Sequence, residues 1–129
     1  MVSQIGGPDG VPHVLVVDDE FLVAILFEDA LRERGFRVTV CHSGVDALAV
    51  QDTDPAAAVV TDLRMPGMNG MELLSRLRER WPDMPVLVVS GWLGESGNAH
   101  QENARTGYLA KPVSPRAVAE RLTAMLDAR

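Results

Sequence analysis

Short apolar, β-rich runs alternate with helical segments along nearly the whole chain, and this alternation constrains the fold more than any other feature. His13–Val17 is a short apolar run that ends in acids. Phe21–Arg34 has helical periodicity, with Val23, Phe27, Ala30 and Leu31 on one face and Gly35 as its stop. Arg37–Cys41 is β-rich. Ser43 opens a short helix that Asp54-Pro55 closes, and Asp46, three residues after Ser43, suggests a capping box. Ala57–Thr61 is a further apolar run, and Met71–Arg80 is helical with Leu73, Leu74 and Leu77 inward. Val86–Val89 follows a proline turn, and Tyr108–Ala110 is a short fifth strand. Ser114-Pro115 starts a last helix whose buried face is Val118, Leu122, Met125 and Leu126. Between Trp92 and Thr106 the pattern is ambiguous, because Gly94, Ser96, Gly97 and Asn98 weaken any helix there. The expected fold is α/β: a doubly wound parallel sheet of five strands with five helices, the fourth of them weak. Residues 1–10 read as a flexible tail before a single domain over 11–129.

In such a sheet the site lies beyond the carboxyl ends of the strands, near the switch in strand order. The polar residues expected there are Asp18, Asp19 and Glu20 after the first strand, Asp62 after the third, Ser90 after the fourth and Lys111 after the fifth. Carboxylates converging on one small site repel each other unless a cation sits among them. A hard ion with oxygen ligands fits, and magnesium suits few carboxylates plus waters and phosphate oxygens. A carboxylate such as Asp62 can attack phosphorus to give an aspartyl phosphate. Lys111 can offset charge on the transferring group, and the Ser90 hydroxyl can hydrogen-bond a phosphoryl oxygen. Each residue alone has a plainer reading: Asp19 as a helix cap, Asp62 as a turn residue, Ser90-Gly91 as a loop, Lys111 as a surface lysine. Their arrival at one end of one sheet favours the joint reading.

Four segments, in order, carry a resemblance to a known family. His13-Val14-Leu15-Val16-Val17-Asp18-Asp19-Glu20 resembles the first strand of response-regulator receiver domains. Val59-Val60-Thr61-Asp62-Leu63-Arg64-Met65-Pro66-Gly67-Met68-Asn69-Gly70 resembles the phosphoacceptor segment. Val86-Leu87-Val88-Val89-Ser90-Gly91 and Gly107-Tyr108-Leu109-Ala110-Lys111-Pro112 resemble the fourth and fifth strands. The resemblance covers Val11 to Arg129 and implies a flavodoxin-like sheet in the order 2-1-3-4-5. It makes Asp62 the phosphoacceptor. It gives magnesium to Asp19, Asp62 and the Arg64 backbone carbonyl, with Asp18 acting largely through water. It makes Ser90 and Tyr108 the switch pair, and places Lys111 before a cis proline, Pro112. The implied donor is a phosphohistidine on a sensor kinase or phosphotransfer protein. The implied receiver of the signal is a downstream protein or a fused output domain, with a homodimer among the assemblies the reading allows. The domain is expected to catalyse its own phosphorylation and dephosphorylation.

Charge and composition exclude other classes. The formal net charge of −6 disfavours nucleic acid or an anionic membrane as a direct partner. A lone cysteine, Cys41, makes no internal disulfide, and the cytoplasm is the expected compartment. A flavodoxin-type carrier needs a hydroxyl- and glycine-bearing loop where Asp18-Asp19-Glu20 stands, and a dinucleotide enzyme needs a glycine fingerprint there. An aspartyl-phosphate phosphatase needs an acid at position 64, which is arginine. The surviving alternative is a phosphorylation-independent interaction module. His13, His42 and His100 lack ligand spacing and read as structural or solvated. Cys41 reads as core, Arg76, Arg78 and Arg80 as a solvated helix face, and Met65, Met68 and Met71 as packing. Trp92 reads either as a gate at the rim or as packing on a neighbour.

Overall fold

The computed structural model describes residues 11–91, 103 and 105–127. The elements run β1 (His13–Val17), α1 (Phe21–Glu33), β2 (Arg37–Cys41), α2 (Gly44–Thr53), β3 (Ala58–Thr61), α3 (Gly70–Arg80), β4 (Val86–Ser90), β5 (Thr106–Ala110) and α4 (Pro115–Asp127). The strands form one parallel sheet in the order β2-β1-β3-β4-β5. This is the expected doubly wound, flavodoxin-like order. The expected fourth helix and the tail 1–10 lie outside the described residues; among the described residues there are four helices. None of these is long and apolar enough to cross a membrane.

Alternation along each strand divides the core in two. In β1 every residue is buried, because helices cover both faces of a parallel sheet. Val14 and Val16 turn to one face with Ala24, Phe27 and Leu31 of α1 and Val118, Leu122 and Leu126 of α4. Leu15 and Val17 turn to the other, with Ala47 of α2 and Leu73 and Leu77 of α3. Each fully buried leucine contributes about 1.5–3 kcal/mol, and Leu15, Leu31, Leu73, Leu77, Leu87 and Leu122 are all of this kind.

Element ends follow local chemistry. Gly35 adopts φ +93° just past α1, where a left-handed residue closes a helix. Ser43 caps α2 by accepting from the Asp46 N–H at 3.1 Å, which is only the first half of the expected capping box. A complete box instead opens α3: Asn69 accepts from the Glu72 N–H, and the Glu72 side chain accepts from the Asn69 N–H. α3 therefore begins at Gly70, one residue earlier than its periodicity shows. Ser114 caps α4 by accepting from the Ala117 N–H at 3.0 Å. β5 starts two residues before the expected Tyr108, because Thr106 and Gly107 pair with Val86 and Leu87 of β4.

The solvated-face reading of Arg78 is corrected. Its guanidinium donates to the Met84 carbonyl, to the Thr106 hydroxyl at 2.7 Å and to the Arg105 carbonyl, tying α3 to the starts of β4 and β5. His13 is buried, its Nε2 2.8 Å from the Thr39 hydroxyl, and is structural. Burial pushes the Cys41 thiol up to about 11, with the Asp46 charge adding to the effect, as for an inert core thiol.

The loop between Asp62 and α3 folds back on itself: the Gly70 N–H donates to the Leu63 carbonyl at 2.8 Å. A Cβ on Gly70 would lie 2.2 Å from the Asp62 carbonyl oxygen and 3.0 Å from the Leu63 Cα. Both obstacles are backbone, so the strain cannot be relieved by a rotamer change. Gly70→Ala is expected to lower stability by at least about 2 kcal/mol in urea unfolding. A variant as stable as the parent would show that this loop has room to shift.

Candidate functional site at the carboxyl edge of the sheet

Parallel register delivers the site. β1 and β3 pair Val17 with Thr61, so Asp18 and Asp62 emerge side by side. The Asp62 N–H donates to the Val17 carbonyl at 2.9 Å, and the Asp18 N–H to the Cys41 carbonyl at 3.1 Å. β4 and β5 pair Ser90 with Ala110, and the Lys111 N–H donates to the Ser90 carbonyl at 2.9 Å. The Lys111–Pro112 peptide is cis.

Three carboxylates meet one ammonium here. Lys111 Nζ lies 3.1 Å from Asp18 Oδ2, 3.2 Å from Glu20 Oε1 and 3.6 Å from Asp62 Oδ2. Carboxylate oxygens of Asp18, Glu20 and Asp62 all lie within 4.8 Å of one another. Asp18 and Asp62 are buried, at 2% and 7% exposure. Asp62 Oδ1 accepts the Leu63 N–H at 2.7 Å, which fixes the carboxylate plane and leaves Oδ2 toward the lysine. The Thr61 hydroxyl donates to the Asp62 carbonyl at 2.9 Å. Asp18 Oδ1 accepts the Glu20 N–H at 2.9 Å.

Of the residues singled out in the sequence, Asp18, Asp62 and Lys111 come together directly. Ser90 is buried at the end of β4, and Tyr108 is half-buried on β5, packed on the α2–α3 side of the core. Asp19 and Arg64 are exposed at the rim. Asp19 does not cap α1, whose N-cap residue is Glu20 and makes no side-chain capping bond. Glu20 is the participant that the sequence left without a role; its only signal was its place as the third acid of Asp18-Asp19-Glu20. Trp92 lies outside the described residues.

Burial, the largest influence, raises the Asp18 carboxyl above its ordinary value, against the Glu20 N–H and Lys111, which favour the ionised form; the Asp62 charge adds to the rise. For Lys111 burial again acts most strongly and disfavours the charge, yet the combined pull of Asp18, Glu20 and Asp62 outweighs it and the ammonium is held above its ordinary value. The lysine is thus at home among the acids, while the ionised Asp18 is still short of positive charge.

Fold and site together define a flavodoxin-like α/β domain with an acidic, lysine-bearing centre at its strand ends. The chain belongs to the response regulator receiver domain family, which its residues 14–123 match. It is 36% identical over 110 residues to the two-component response regulator ORR5 of Oryza sativa, covering 82% of each chain. It is 36% identical over 120 residues to the probable transcriptional regulatory protein TcrX of Mycobacterium tuberculosis, covering 92% of this chain and 51% of that one. Among solved structures, the CheY-like receiver domain of Methanospirillum hungatei superposes with a TM-score of 0.82 at 26% identity, covering 92% of this chain and 95% of that one. The function of the family is that of a phosphoacceptor in two-component signalling.

A carboxyl held above its unfolded value adds stability in acid and loses it as pH rises through the folded value. Ionised Asp18 therefore costs stability at neutral pH. In metal-free buffer, Asp18→Asn is expected to melt higher than the parent, with a margin that grows from about pH 4 toward neutrality. A margin that shrinks over that range would contradict the burial argument.

Proposed function

We propose that Asp62 accepts a phosphoryl group from a phosphohistidine on a sensor kinase or phosphotransfer protein. The observation that carries this reading is the setting of Asp62: a buried carboxylate with one oxygen held by a backbone N–H and the other facing Lys111 at 3.6 Å. A carboxylate oxygen forms the new P–O bond as the P–N bond to the donor imidazole breaks, and the imidazole leaves with the bonding pair. Lys111 offsets charge on the phosphoryl oxygens, and the Ser90 hydroxyl donates to one of them. The domain needs no further residues for the transfer, so a small phosphodonor serves as well. Hydrolysis of the acyl phosphate returns Asp62 to its free form.

The donor set is all oxygen and short of positive charge, which fits a magnesium ion. Asp19, Asp62 and the Arg64 backbone carbonyl would hold it, with Asp18 largely through water and Glu20 as a further acid beside it. When bound, it would neutralise charge that neither Asp18 nor the incoming phosphoryl group tolerates alone.

The new charge beside Ser90 and Lys111 favours one of two arrangements of the β4–β5 edge, and Tyr108 carries that change to the surface that a downstream protein or output domain reads. The surface that we assign to the donor protein is an apolar groove of about 420 Å³ lined by Val23, Leu26, Phe27, Pro112, Val113 and Pro115 together with Glu20 and Lys111. Leu26 is 53% exposed there.

Asp62→Asn is expected to abolish labelling by acetyl phosphate with magnesium while leaving the circular dichroism spectrum unchanged. Undiminished labelling would refute the assignment, and an unlabelled parent would favour a phosphorylation-independent module. Leu26→Asp is expected to slow transfer from a phosphorylated kinase by about tenfold or more and to leave acetyl phosphate labelling at the parent rate. Equal loss with both donors would move Leu26 from docking to folding.

A further inference from the structure

We infer that His42 is a positioning residue for the acidic loop, gripping the Asp18–Asp19 peptide so that the carboxylates on either side of it are held ready for a divalent cation. His42 follows β2 directly and is exposed at the same carboxyl edge as the site. Its Nδ1 lies 3.3 Å from the Asp18 carbonyl oxygen. A carbonyl only accepts, so Nδ1 carries the proton and donates. One residue earlier, the Cys41 carbonyl accepts the Asp18 N–H at 3.1 Å. The last residue of β2 and the residue after it thus hold Asp18 by both of its backbone groups, and the second bond fixes the plane of the peptide that joins Asp18 to Asp19. On its other side the imidazole packs on Phe21, the first residue of α1, with ring centroids 5.5 Å apart and planes 39° apart. His42 therefore braces the three-acid loop from both ends: at Asp18, where it leaves β1, and at Phe21, where it enters α1.

The loop needs such a brace. Asp18 is buried with its carboxylate within 4.8 Å of those of Glu20 and Asp62, and Asp19 is exposed. Repulsion among the acids pushes the loop outward, and a loop free to relax would present its carboxylates to a cation with a larger ordering cost. Partners that orient ligands without touching the metal tune its affinity in this way.

This role rests on the magnesium reading of the site, and the test separates the two. Magnesium binding by the full chain is measured calorimetrically for the parent and for His42→Ala, His42→Phe and His42→Asn. Asparagine places an amide N–H the same number of bonds from the backbone as Nδ1, whereas phenylalanine keeps the ring and loses the donor. The alanine and phenylalanine variants are expected to bind magnesium about three- to tenfold more weakly, and the asparagine variant within about twofold of the parent. Labelling by acetyl phosphate is expected to need correspondingly more magnesium in the first two and to reach the parent rate at saturation. A generally damaged fold would lower that saturated rate as well and would overturn the positioning role. Should the alanine variant fail to fold, the phenylalanine and asparagine variants carry the comparison. A parent that binds no magnesium overturns the site reading itself. A parent that binds while His42→Phe binds equally tightly overturns the role of His42 alone.

Discussion

Everything at the carboxyl edge of this sheet depends on holding like charges together. Asp18, Glu20 and Asp62 sit within 4.8 Å of one another around a single ammonium, that of Lys111. In water these groups would separate. The sheet keeps them together because Asp18 and Asp62 are the next residues along two strands locked in register from Val14–Ala58 to Val17–Thr61. The cost is met by the apolar core beneath, in which every residue of β1 and β4 is buried.

The same constraint explains how a shared site is assembled from residues distant in sequence. Lys111 is 93 residues from Asp18, yet β5 delivers it by pairing with β4, which pairs with β3. Packing on both faces makes these strands hard to displace, so the site is rigid in its frame and adjustable in its charge. With three carboxylates around one ammonium, positive charge is the quantity this arrangement is short of. The receiver family to which the chain belongs signals by accepting a phosphoryl group, a covalent change that acts through local charge.

The corners of the sheet matter as much as its strands. The loop after Asp62 is turned by Gly67 at φ +76° and closed against the Asp62–Leu63 backbone by Gly70, and the Asn69–Glu72 box starts α3 at that point. On the other side, Cys41 and His42 hold Asp18 by its N–H and its carbonyl. Backbone clasps of this kind place carboxylates more tightly than side-chain contacts do, because the peptide plane has no rotamers to choose among.

Periodicity and turn residues were enough to determine the α/β class, the strands, the helices around them and the edge on which Asp18, Asp62, Ser90 and Lys111 fall, since burial on both faces leaves its mark in each short apolar run. The motifs around Asp62 and Lys111 determined the family. The tertiary structure alone decided which acids meet the lysine: Glu20, although exposed, reaches Lys111 at 3.2 Å, a contact that spacing does not encode. It alone showed that Arg78 ties α3 to the neighbouring strand starts, that β5 begins at Thr106, and that His42 reaches the Asp18 carbonyl. Each of these depends on a partner far away in the chain. Local sequence records the propensity of a residue for its own element, but a hydrogen bond across 24 residues, such as that from His42 to Asp18, exists only once the sheet has brought both ends together.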